Sequence, residues 1–361
     1  MEVSPALEVD LDKLQQNAAR VVEKCHQQGI EVLGVTKGFS AIPEIVAALV
    51  AGGVDGLADS RMENILELHK GAFNLPITLL RIPRLSNVDS VVQDTDISVN
   101  SEITVIKALS EAALKRNRVH KVLLMVDVGD LREGILTENV LCAVKDIVKL
   151  KGVRLVGLGT NMGCFGGVLP SSNNLGTLVK LVEAVERCYG IQLEVVSGGG
   201  TSSLLLVEKQ LIPAGVNQLR IGEGILLGTD TTNSRKIPWL HQDAFRLLGE
   251  VIEVKSKPSV PIGRVGRDAF GNIPQFVDRG IRKRAILALG KQDIYIEGIT
   301  PVDENITIMG ASSDHLIVDI TEARQKVRVG DEMEFFLTYA GLLSVCNSRY
   351  VGKIYIGGGH D

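Results

Sequence analysis

Val32-Leu33-Gly34-Val35-Thr36-Lys37 is an apolar run of strand length that ends on a charged side chain. The same pattern, a short apolar run closed by a polar or charged residue, recurs at 55–60, 77–81, 96–100, 121–127, 155–161, 193–197 and 218–220. Helix-like stretches lie between most of these runs, at about 42–51, 62–69, 102–115, 138–150 and 175–189, with a weaker one between 82 and 96. A further helix is expected at 11–28, after a short strand at 7–10, with Asp10 as its N-cap. Eight strand–helix units in succession predict an α/β fold, a (β/α)8 TIM-like barrel. In such a barrel the carboxyl ends of the strands converge on one mouth, where catalysis takes place. Lys37, Arg61, Arg81, Asn161 and Arg220 end or directly follow their runs, so they are expected to face a common pocket.

At 361 residues the chain exceeds the roughly 250 residues of a plain barrel, and a second domain is expected. The register changes after Gly228. The stretch 229–238 is polar and without apolar periodicity, as suits a linker. Beyond it come turn-punctuated runs of β type at 246–254, 285–289, 293–299, 306–309, 315–320, 332–339 and 350–356, with no long helical pattern. The expected division is a barrel over 1–230 and a C-terminal, mostly β domain over 231–361.

Hydrophobic residues make up 45% of the chain and charged residues 23%, an ordinary globular balance. A net charge of -4 and an aromatic content of 4% give no basis for binding nucleic acid or a membrane surface. The five cysteines are scattered and form no CxxC pair, which argues against a zinc cluster or disulfide framework. Free thiols suit a reducing cytoplasm. No apolar run approaches about 20 residues, and the N-terminus has no signal-like stretch, so a soluble cytoplasmic protein is expected. The histidines show no metal spacing, and no metal is expected.

Lys37 at a strand end has two readings. It can be a rim lysine that snorkels to solvent, or a partly buried amine whose depressed pKa makes it available to an aldehyde. The last two runs bear on the choice. Ser197-Gly198-Gly199-Gly200-Thr201-Ser202 and Arg220-Ile221-Gly222-Glu223-Gly224 are glycine-rich loops after strands seven and eight, where barrels commonly bind phosphate. Either loop alone is as readily a tight turn. Together with the lysine they suit a phosphorylated aldehyde, pyridoxal 5'-phosphate.

On these residues the chain resembles the alanine racemase family of barrel-fold pyridoxal phosphate enzymes, from Ala6 to about residue 356. Its nearest likeness is to the alanine/ornithine racemase branch, best known for ornithine racemase. The resemblance implies an isomerase that interconverts L- and D-amino acids through a Lys37 Schiff base and two-base proton transfer. Val126-Asp127-Val128-Gly129-Asp130-Leu131-Arg132-Glu133-Gly134 is similar to the segment whose arginine meets the cofactor's phenolic oxygen, which puts Arg132 near the substrate carboxylate. Asn161 falls where the family has a histidine beside the ring. Arg220 matches the arginine facing the pyridine nitrogen. Gly200, Thr201, Ser202, Gly222, Glu223 and Tyr339 fall at the phosphate. Ser313 and Asp314 belong to a strand that in relatives reaches the partner's active site, so a homodimer with shared active sites is implied.

Three departures stand out. Pro261-Ile262-Gly263 occupies the stretch that carries the family's second base, a tyrosine. Phe39, Ser40 and Ala41 follow the lysine where a tyrosine is usual, and Met125 replaces a lysine that supports the arginine. The second base is thus open among Asp314, Asp268, Cys346 and a tyrosine that the sequence does not place. For the first three the structural alternatives are a strand cap, a surface ion pair and a small core residue. A cationic substrate such as ornithine or lysine would need a carboxylate, with Asp268 and Asp314 as candidates. Three other readings fit the resemblance: a pyridoxal phosphate homeostasis or regulatory protein, an alanine racemase, and a related lyase or aldolase on the same fold.

Overall fold

The computed structural model describes residues 4–358. The chain divides into two compact units. One spans 11–242; the other joins the strand Ala6–Asp10 to the chain from residue 243 onward.

The first unit is the expected barrel. Its strands are Glu31–Val35, Gly56–Asp59, Ile77–Leu79, Ile97–Asn100, His120–Asp127, Val153–Gly159, Val195–Ser197 and Gln218–Ile221. Each pairs in parallel with its neighbours in chain order, and the last closes on the first through Gln218↔Glu31 and Arg220↔Leu33. These strands are buried on both faces, which is why they read as continuous apolar runs rather than alternating ones. Helices cover the outside. In Leu11–His26 the buried residues Leu14, Ala18, Val21, Val22 and Cys25 recur at helical spacing and form one apolar stripe. The weak stretch after residue 82 holds the short helix Val88–Asp94. Ser171 caps Ser172–Tyr189 in a capping box with Asn174, and Gly190 ends that helix in the left-handed region.

The second unit is built on an antiparallel sheet in the order Ile299–Pro301, Glu332–Leu337, Phe245–Pro258, Ile281–Leu287, Leu316–Asp319 and Thr307–Ala311. Its composition corrects the expected boundary in two places. Ala6–Asp10 pairs antiparallel with Phe245–Pro258 and parallel with Gly352–Ile356, so this strand belongs to the β unit and not to the barrel. Residues 229–238 are not a free linker. They form the hairpin Thr229–Asp230 and Arg235–Lys236, closed on itself by Arg235 on Asp230 and pinned to the rest of the barrel unit by Arg235 on Glu208 and by Asn233 on the Ser202 carbonyl. The division therefore falls at 242/243 rather than 230/231. One helix also lay hidden among the β-type runs: Tyr339–Asn347, N-capped by the Thr338 hydroxyl, which accepts from the Gly341 N–H.

Among the described residues no helix is long and apolar enough to cross a membrane, and no group of three or more His, Cys, Asp or Glu side chains could hold a metal.

Candidate active site

The chain leaves the first barrel strand through Thr36 into a single 3-10 turn, Lys37–Phe39. Ser40 and Ala41 follow at φ +56° and +52°, a left-handed pair without a glycine. Such residues cost of order 1–3 kcal/mol each and persist only where the surroundings over-determine them. Here the Phe39 and Ala41 N–H groups both donate to the Thr36 carbonyl, and the Phe39 ring is fully buried. The turn is thus fixed from both sides, and with it the root of Lys37. Burial lowers the Lys37 pKa below 10.5, and the positive charges of Arg132 and Arg220 act in the same direction.

Beneath the turn lies Asp59, a wholly buried carboxylate at the end of the second strand. It accepts from the Thr36 hydroxyl at 2.5 Å, from the Arg61 N–H at 2.8 Å and from Asn64 Nδ2 at 3.1 Å on both oxygens. Burial pushes its carboxyl up, against these hydrogen bonds. Because the Arg61 backbone is drawn to Asp59 as the next helix begins, the Arg61 side chain does not join the main cavity. It lines an adjacent depression with Arg84 and Asn87, which corrects its expected place in the common pocket.

Arg220 leaves the eighth strand into the barrel interior. It is 7% exposed and donates to the Thr160 carbonyl at 2.6 Å and to the Ser197 hydroxyl. Burial depresses its pKa to about 10, which still leaves it charged at neutral pH. The loops after strands seven and eight are bonded to each other. The Arg220 N–H donates to the Gly199 carbonyl, and the Gly224 N–H to the Thr201 hydroxyl. Gly199 sits at φ +104°, a conformation that excludes a side chain. Gly222 lies against Val35, beside the root of Lys37. The Glu223 carboxylate is turned to Thr229 and Thr231, where it braces the hairpin.

Arg132 projects from the loop after the fifth strand and forms a two-pronged ion pair with the neighbouring Glu133. That contact raises its pKa further. Asp130 anchors the facing loop after the sixth strand by accepting from the N–H groups of Gly163, Phe165 and Val168, each at 3.1 Å.

Lys37, Arg81, Arg132, Asn161 and Arg220 meet around one cavity of about 380 Å³ at the barrel mouth. Met125 and Glu133 complete its wall. The Asn161 Nδ2 is buried and without a partner. Tyr339, Ser313, Asp314 and Asp268 stand on the β unit. Asp314 is exposed and accepts from the Ser313 hydroxyl at 2.8 Å and from Gln292. Asp268 closes its own turn, accepting from the N–H groups of Phe270 and Asn272. Sequence reasoning passed over Glu133 and Asp130. Both lie inside the quoted arginine segment, where two acids flanking Leu131-Arg132 were the available signal.

The model of the alanine racemase N-terminal domain matches residues 9–230 of the chain. This protein belongs to the alanine racemase family. As a family member it is 44% identical to a lysine racemase of Thermotoga maritima over 98% of its own length and 99% of the relative's. It is 41% identical to an ornithine racemase of Acetoanaerobium sticklandii over 97% and 99%. Among solved structures, the alanine racemase of Clostridium difficile superposes with a TM-score of 0.76 at 18% identity, covering 100% of this chain and 97% of that one. At that identity the likeness speaks for the fold alone. The family assignment accounts for the shared barrel.

Proposed function

We propose that this family member is a pyridoxal 5'-phosphate-dependent racemase of a basic amino acid, ornithine or lysine. One observation carries the reading. A lysine amine held below its usual pKa opens into a cavity walled by three arginines, in a chain similar over its full length to lysine and ornithine racemases.

The residues present fit that cofactor. Lys37 offers a partly desolvated amine, and Asn161 a buried donor in need of an acceptor. The linked glycine turns at Gly200, Thr201, Ser202 and Gly222 would hold the phosphate through their backbone, joined there by the Glu223 N–H. When bound, the cofactor supplies an aldehyde for the amine and an electron-withdrawing ring that makes the substrate's α-proton removable.

The rest follows from the chain's own groups. Lys37, neutral once its proton is lost, takes the α-proton on one face of the substrate or returns it there. Arg132 holds the substrate carboxylate. Arg220 donates from a guanidinium that neither accepts a proton nor readily gives one up, so the group it faces stays unprotonated. The opposite face needs a second proton carrier. The Cys346 thiol is buried and pushed up to about 12, out of range for that task. Hydrogen bonds from Asn272 hold the Asp268 carboxyl below the usual range, which makes it a weak proton acceptor, though still a candidate partner for a cationic side chain. Asp314 is the acid we assign, beside Ser313 and contributed across a homodimer with shared active sites. The five free thiols suit a cytoplasmic setting.

The test is chemical. Borohydride reduction of the loaded protein, followed by digestion and mass spectrometry, should place the cofactor adduct on the Lys37 peptide. Loss of optical rotation should follow incubation with L-ornithine or L-lysine. An adduct elsewhere, or an unchanged labelling pattern in Lys37→Ala, sinks the assignment.

A further inference from the structure

The charges around the cavity are unbalanced. Lys37, Arg81, Arg132 and Arg220 supply its cations, and Glu133 is the one carboxylate among the described residues that line it. The other acids nearby are engaged elsewhere. Asp59 is saturated by Thr36, Arg61 and Asn64, Asp130 by three backbone N–H groups, and Asp127 by those of Gly129 and Leu131. Glu133 lies in the wall with a side chain 19% exposed, paired to Arg132.

Resting on the racemase reading above, we infer that Glu133 is the specificity residue that receives the ω-ammonium of a basic amino acid. The argument is an exchange of partners. Arg132 gives up Glu133 when it turns to the substrate carboxylate. A neutral substrate would leave Glu133 charged, half-buried and unpaired, which disfavours its binding. A substrate that carries its own cation fills the vacancy, and both charges of the resting ion pair end with new partners. The same carboxylate thus favours basic side chains and penalises neutral ones.

Wild type, Glu133→Gln and Glu133→Asp holoenzymes should be compared on L-lysine, L-ornithine and L-norleucine by loss of optical rotation. Glu133→Gln keeps the shape and removes the charge. It should lower the lysine-to-norleucine ratio of kcat/KM by about 10- to 100-fold, through a higher KM for lysine and a gain on norleucine, as expected for one hydrogen bond to a charged group. Glu133→Asp keeps the charge but draws it back by one methylene, so lysine should gain on the shorter ornithine. Ratios that stay within about threefold of wild type, whatever happens to overall activity, would show that Glu133 only holds Arg132 and would overturn the inference. Calorimetric titration of the same proteins with lysine and norleucine separates this failure from failure of the reaction itself. A wild type that racemises none of the three sinks the racemase reading. Selective loss of lysine binding in Glu133→Gln would still establish the contact, and its absence would still refute it.

Discussion

Replacing Asp130 tests how the mouth of the barrel is held together. Its carboxylate accepts from three backbone N–H groups of the loop after strand six, Gly163 and Val168 on Oδ1 and Phe165 on Oδ2. Hydrogen bonds to a charged acceptor contribute about 1.5–3 kcal/mol each when buried. The loop residues 164–167 are exposed, so water replaces part of what Asp130→Ala removes. A total of roughly 2–4 kcal/mol is expected, below the simple sum for three bonds. Because the loop can open without unfolding the barrel, the loss should appear as local opening. Native-state hydrogen exchange at the three amides should accelerate about 30- to 1,000-fold while strand amides change little. Asp130→Asn gives a finer pattern. Its single carbonyl can keep the Oδ1 pair and lose the Oδ2 partner, so Phe165 should exchange faster than Gly163 and Val168. The pH dependence has a definite sign. Burial opposes the Asp130 charge, but the N–H groups of Phe165, Val168, Gly163 and Gly166 together hold its carboxyl below the usual range. A depressed acid stabilises above its unfolded pKa of about 3.9 and loses that contribution as pH falls through the folded value. The tether is therefore complete at neutral pH. If exchange at these amides in Asp130→Ala matches wild type, the carboxylate does not hold the loop.

Two further expectations concern the same mouth. Arg132→Gln removes a cation that depresses Lys37 and frees the anionic Glu133, so the Lys37 pKa should rise; the pH profile of adduct formation should move to more alkaline values, and a move to lower pH would contradict the electrostatic account. Gly163→Ala places a Cβ 2.5 Å from Thr232 Cγ2 at φ +76°, and should cost about 1–3 kcal/mol in thermal or urea unfolding; an unchanged midpoint would show that the loop relaxes freely.

The barrel was legible because strands buried on both faces must be apolar along their whole length, and the polar or charged residue that breaks each run marks the mouth. Lys37, Asn161 and Arg220, expected at the mouth on this ground, line one cavity there. The unit boundary was hidden for a different reason. Ala6–Asp10 finds its partners at 245–258 and 352–356, and no local pattern records so distant a pairing. Residues 229–238 looked like a linker because they are polar, yet Asp230, Asn233 and Arg235 are polar in order to pin the hairpin. Arg61 was placed in the pocket from its position alone. The chain turns with its backbone bound to Asp59, which sends the side chain next door.

Glu133 was the least legible residue, since an acid beside an arginine reads as a surface ion pair of small weight. Its importance comes from what surrounds it. Burial depresses the Lys37 amine and the nearby cations add to it; on the proposed reading the same cations call for an anionic cofactor and substrate carboxylate, and they leave one carboxylate in the wall paired to Arg132. Removing cations to relieve Lys37 would weaken the hold on those anions, and adding acids to balance them would restore its proton. On the proposed reading, a single acid adjoining Arg132 avoids both costs, because Arg132 neutralises it at rest and the substrate's cation would do so during turnover. On this argument the preference for a basic side chain follows from the charge balance that keeps Lys37 reactive, and needs no separate pocket on the β unit.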